Sequence, residues 1–195
     1  NGQFTLVANP FDDGNGNQLT NVVDAANLLP KQSQVLTWNG SSFNLIQKGG
    51  SPATWASSIP LTPGNGFFVR NGNPGGNAPD VTNTFVGSIV VPNGGSVTNQ
   101  LPVGFTLNGT PIPYAGNLAI AGQNGGDTNM DFGGPLAKQS QILTWNTASQ
   151  VYNVSQKGGS PATWGLTVTV VPTDGFFVYN KNGPATNAVE TLNLQ

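Results

Sequence analysis

Apolar residues along the chain come in short runs, and they alternate with polar ones more often than they recur at helical spacing. The stretches 4–8, 34–38, 43–47, 66–70 and 84–91 are rich in β-branched and aromatic residues and are bounded by Gly, Pro, Asn or Ser. This pattern predicts short strands separated by turns. Within Val35-Leu36-Thr37-Trp38, the two-residue period of a strand puts Leu36 and Trp38 on one face. Asn-Gly pairs at Asn39-Gly40, Asn71-Gly72, Asn93-Gly94 and Asn182-Gly183 suit the positive φ angles of tight hairpin turns. Leu19, Val22, Val23 and Ala26 have helical spacing ahead of Pro30. They allow one short helix in a segment otherwise read as a variable loop.

The same patterns occur twice. Residues 31–38 (KQSQVLTW) return at 138–145 as KQSQILTW, and residues 47–55 (QKGGSPATW) return unchanged at 156–164. Gly66-Phe67-Phe68-Val69 matches Gly175-Phe176-Phe177-Val178, and Phe4-Thr5-Leu6 matches Phe105-Thr106-Leu107. The offset between copies grows along the chain, which places the insertions in loops. These matches predict an all-β fold of two tandem homologous β-sandwich-like modules, at 1–92 and 93–195, joined by internal duplication.

The repeated residues resemble a family of repeat modules found in secreted and surface-anchored bacterial proteins. That family opens on a Gly-aromatic-x-Leu-Ile/Val-Ala/Gly-Asn-Pro segment, continues through Trp-Asn and Trp-containing strands, and closes on Pro-Gly-x-Gly-Phe-Phe-Val. Here the first copy reads Phe4-Thr5-Leu6-Val7-Ala8-Asn9-Pro10, then Val35 to Asn39, Trp55, and Pro63-Gly64-Asn65-Gly66-Phe67-Phe68-Val69. The second keeps Ile142 to Asn146, Trp164 and Gly175 to Val178, and departs at Asn108-Gly109-Thr110-Pro111 and Pro172-Thr173-Asp174. The resemblance implies a secreted β-module and no particular chemistry.

Composition narrows the function. Of 195 residues only 7% are charged, Cys and His are absent, and the net charge is −2. Without Cys or His there is no thiolate nucleophile, no Ser-His-Asp triad and no structural zinc site. Six basic residues offer no face for nucleic acid, and no apolar run is long enough for a membrane helix. A chain so poor in charge and free of Cys is expected outside the cell or at its surface.

The carboxylates are Asp12, Asp13, Asp24, Asp80, Asp127, Asp131, Asp174 and Glu190. None falls in the two most closely repeated blocks, so no catalytic residue is assigned and the chain reads as a non-enzyme. Asp13/Asn15/Asn17 and Asp127/Asn129/Asp131 space oxygen ligands as a calcium loop does. Both lack the glycine at the sixth position, so turn formation is the preferred reading, and no metal or cofactor is assigned. Trp38, Trp55, Trp145 and Trp164 suit core anchors better than sugar-stacking platforms. Lys48–Pro52 and Lys157–Pro161 read as hairpin turns. An intramolecular Lys–Asn amide, assisted by a buried acid, is chemically open to the chain, but spacing does not name a pair. Asn39, Asn108 and Asn153 head glycosylation sequons.

The stretches 84–91 and 95–100 precede the second copy as a strand-rich lead-in with no equivalent ahead of Phe4. The C-terminal run 188–195 also has strand character. An open sheet edge is a template for another chain. The sequence therefore predicts a structural protein, the subunit of an extracellular filament or surface assembly, polymerising with copies of itself by strand addition. The alternative is a carbohydrate-binding or adhesive surface module that takes glycans.

Overall fold

A computed structural model describes residues 2–72, 81–91 and 95–192. The first half contains β1 (Phe4–Ala8), the single turn of helix α1 (Leu19–Val22), β2 (Gln34–Trp38), β3 (Phe43–Gly49), β4 (Thr54–Trp55) and β5 (Gly66–Arg70). Its strands form one antiparallel sheet in the order β1-β5-β2-β3-β4. The second half contains β6 (Ser96–Leu101), β7 (Gly104–Asn108), β8 (Gly116–Ala119), β9 (Met130–Asp131) and β10 (Gln141–Asn146). It continues through β11 (Val151–Gly158), β12 (Thr163–Trp164), β13 (Val168–Val170), β14 (Phe176–Asn180) and β15 (Thr186–Thr191). There β7-β14-β10-β11-β12 repeats the strand order of the first sheet, and β6-β15-β9 and β13-β8 form two smaller sheets. The fold is all-β.

Register is the same in both large sheets. Phe68 stands between Leu6 and Leu36 as Phe177 stands between Leu107 and Leu143. Because side chains alternate across a strand, each sheet has two apolar faces. In the first, Val35, Ile46 and Phe67 join Leu19, Val22, Val23, Leu29 and Leu61 in one buried cluster. In the second, Ile142, Phe176 and Val178 join Leu101, Met130, Phe132, Trp164 and Ala188 in another. The opposite faces meet each other. Leu6 and Phe68 pack against Leu107 and Phe177, flanked by Leu36, Trp38, Leu143, Trp145 and Tyr152. A sheet-on-sheet layer thus lies between the halves.

The contacts across that layer are reciprocal. Trp38 Nε1 donates to the Phe105 carbonyl at 3.0 Å, and Trp145 Nε1 donates to the Phe4 carbonyl at 2.8 Å. The Ala8 amide donates to Thr173 O at 2.9 Å, and the Gly109 amide to Gly64 O at 2.8 Å. Gly66 and Gly175 permit the close approach. A Cβ at Gly66 would lie 2.6 Å from Asn108 O, and one at Gly175 would lie 2.7 Å from Val7 O. Self-complementary exchange of this kind is the geometry of a two-fold interface, here formed within one chain.

Several local expectations are corrected. The stretch 84–91 is not a strand. It makes one bridge, with the Asp12 amide donating to Ser88 O and the Ser88 amide to Asp12 O. Val81 and Phe85 pack on the first-half cluster, so this segment belongs to the first half and only β6 leads into β7. Of the Asn-Gly pairs, Asn39-Gly40 makes the β2–β3 hairpin, with Gly40 at φ 99° and Asn39 Oδ1 accepting from the Ser41 and Ser42 amides. Gly72 serves close packing instead, since a Cβ there would lie 2.0 Å from the Ser33 amide nitrogen. Asn93-Gly94 lies outside the described residues. The C-terminal run is not a bare edge either. As far as Thr191 it is the central strand of β6-β15-β9.

Candidate functional site

The two halves differ most on the outward face of each large sheet. In the second half, β6 and β15 cover that face, and Leu101 and Ala188 are fully buried with Phe176 and Val178. Phe67 and Val69 are the matching residues of the first half. They face a cavity of about 600 Å³, also lined by Val7, Val23, Val81 and Phe85.

One wall of the cavity follows the path of β15. Aligning Lys31 with Lys138 sets Val22 opposite Asn129. Asn83 Nδ2 donates to Val22 O at 2.9 Å, where the Thr191 amide donates to Asn129 O at 3.1 Å in the second half. Asn83 thus takes a bond at the place where β15 takes one. Among the described residues, no strand runs beside residues 81–85 as β6 runs beside β15. Further along the same segment Val86 is 77% exposed, and Ile89 and Val90 are exposed as well. The groove combines an apolar floor with an irregular segment that has no ladder partner among the described residues.

Two buried lysines form a second feature, which the sequence did not flag. Lys48 and Lys157, at the ends of β3 and β11, are each 1% exposed. Lys157 Nζ donates to the carbonyls of Gly133, Gly134 and Leu136. Burial lowers its pKa, while the nearby Asp131 carboxylate acts the other way. Lys48 Nζ donates to Leu29 O at 2.7 Å, to Asp24 Oδ2 at 2.5 Å and to Asn27 Oδ1 at 2.7 Å. A repeated Lys-Gly-Gly was the available signal. Lysine is so rarely buried that residue type alone pointed outward.

The calcium-like spacings serve turns. Asp13 Oδ1 accepts from the amides of Asn15 and Asn17, which lowers the Asp13 pKa, and Asn17 Oδ1 accepts from the Asp13 amide. Asp127 accepts from the amide and the side chain of Asn117, and Asp131 Oδ1 from the amides of Gly126 and Gly134. Among the described residues no three acidic side chains gather into a metal-binding group.

All four indole N–H groups are committed within the chain. Trp55 Nε1 donates to Asp24 and Trp164 Nε1 to Asn124 O, alongside the Trp38 and Trp145 bonds given above. Only Trp164 is a fully buried core residue. Trp38 and Trp145 flank the layer between the halves, and Trp55 packs at the edge of the first cluster. Of the sequon residues, Asn39 and Asn153 are exposed. Asn108 is 8% exposed, bridged to Asn65 and bonded to Thr106, so it offers no acceptor to a glycan.

Compared with family models, with curated proteins and with solved structures, the chain matches none.

Proposed function

We propose that the chain is a structural protein, a subunit of an extracellular filament or surface assembly, in which a strand of a neighbouring copy enters the groove of the first half. The observation that carries this reading is the contrast between the halves. One sheet face is covered by β6, and the matching face is a groove beside a segment that has no ladder partner among the described residues. Main-chain bonds to residues 81–85 give an incoming strand affinity, and alternate side chains on Val69 and Phe67 give it register. The low charge, 7% of residues, leaves little repulsion between copies.

Internal pairing of the C-terminal run changes how it can contribute. Ala188 and Glu190 are buried in the chain's own second half, so donating β15 means withdrawing it from between β6 and β9. Truncation at residue 188 would damage the fold as well as any contact, and is therefore a poor test. The groove is the better target. Val81→Lys puts a charge on a half-buried position of the groove wall, where the stem can lie along the surface with its head in water. Filaments seen by negative-stain electron microscopy for the unaltered chain are expected to be lost in this variant, while it still unfolds in one cooperative thermal transition. Filaments of normal length from Val81→Lys, or none from the unaltered chain, overturn the proposal.

A further inference from the structure

We infer that Lys48 and Asn27 join in an intramolecular amide bond, with Asp24 as the acid–base group that forms it. The three side chains converge in the first half. Lys48 Nζ lies 2.7 Å from the Asn27 carboxamide oxygen and 2.5 Å from Asp24 Oδ2. The Lys48 and Asp24 side chains are 1% and 2% exposed. Asp24 is fixed from two further sides, by the Leu29 amide on Oδ1 at 2.9 Å and by Trp55 Nε1 on Oδ2 at 3.0 Å. The indole of Trp55 also covers the amine, its ring centre 5.9 Å from Nζ. This arrangement holds an electrophilic carboxamide and a proton carrier within hydrogen-bonding reach of the nucleophile, which removes much of the entropic part of the barrier.

The chemistry balances without an oxidant or co-reactant. The Lys48 ammonium passes one proton to the Asp24 carboxylate, whose Oδ2 lies 2.5 Å from Nζ. The free amine attacks Asn27 Cγ, and the Nζ–Cγ bond forms. Asp24 delivers its proton to Nδ2, and the Cγ–Nδ2 bond breaks to release ammonia. The remaining excess proton on Nζ returns to Asp24 and leaves with the ammonia as ammonium. Asn27 is an exposed residue, so the leaving group has a path to water.

The second half supplies a built-in comparison. The alignment that sets Lys48 opposite Lys157 and Asp24 opposite Asp131 sets Asn27 opposite Gly134. Glycine has no carboxamide, and Lys157 Nζ donates its hydrogen bonds there to backbone carbonyls. Both halves thus share a buried lysine that ties down a loop, while only the first holds the groups needed to make the tie covalent. The bond would join β3 to the loop after α1, 21 residues apart, in the half that carries the groove. It does not depend on the assembly proposed above.

The full chain, unfolded and weighed by intact-mass spectrometry, is expected to be lighter than its sequence by one ammonia. Proteolytic mapping should recover the peptide of Lys48 joined to that of Asn27. The deficit should vanish in Lys48→Met and in Asp24→Ala, and persist in Lys157→Met. A full mass, a deficit that survives Lys48→Met, or a deficit of one water with Lys48 joined to Asp24 overturns the assignment. Mapping of the unaltered chain decides the matter even if a variant fails to fold.

Discussion

Replacing Phe68 by Ala is expected to lower the stability of the chain by about 3–5 kcal/mol, the range for a large aromatic removed from a close-packed site. Phe68 is 4% exposed and lies at the centre of the layer between the halves. Its ring meets Phe4, Phe43, Trp145 and Tyr152 edge-on, at centroid distances of 6.1, 5.7, 5.2 and 6.5 Å. Rings arranged in this way add to the area they bury. Phe177 holds the reciprocal place, against Trp38, Phe43, Phe105 and Tyr152. Phe177→Ala should therefore cost about as much as Phe68→Ala. Chemical denaturation measures both. A loss under about 1 kcal/mol at either position, the level of an ordinary surface substitution, contradicts the face-to-face docking of the two sheets.

Stability is expected to fall as pH rises from about 4.5 to about 8, against the usual trend for a chain whose carboxylates are paired. Glu190 lies in β15 with its side chain turned inward, 1% exposed, and only Oε1 has a side-chain partner, Asn99 Nδ2 at 2.7 Å. Burial pushes its carboxyl from 4.5 up to about 8, and the Asn99 bond offsets only part of that. The folded chain therefore keeps a proton that the unfolded chain has lost between those values. The stabilisation is complete below the unfolded pKa, declines through the window, and is gone above the folded pKa. The span is worth on the order of 3–5 kcal/mol. Glu190→Gln should flatten the decline in melting temperature across the window. An unchanged slope in that variant would assign the titration to another group.

Much of this was legible in the residues. The strands at 4–8, 34–38 and 66–70 match the apolar runs residue for residue, and the third run extends to Gly49, because strand alternation is a local property. The shared face of Leu36 and Trp38 was legible for the same reason. What that face meets was not, since Phe105 and Phe177 come from far along the chain. The strand character of 186–191 could be read locally, whereas its place between β6 and β9 depends on partners roughly 90 and 60 residues away in sequence, and no local pattern encodes such pairings. The stretch 84–91 has the composition of a strand, yet among the described residues it pairs only through the single Asp12–Ser88 bridge. That mismatch between local preference and the folded chain is why composition alone misread the segment. The Lys48 cluster was hidden for a different reason. Asp24 has a match in Asp131, but it sits in a segment that otherwise differs, and Asn27 falls opposite Gly134, so repetition gave no hint that the two approach the lysine.

Whether a second copy fills the groove can be read by placing a photo-crosslinking benzophenone residue at Phe85 in the full chain and irradiating the assembled material. Covalent dimers are expected, with mass mapping that joins position 85 to a strand segment of another molecule. Irradiation that yields only links within one chain, in material that has nonetheless assembled, would contradict strand entry at this groove.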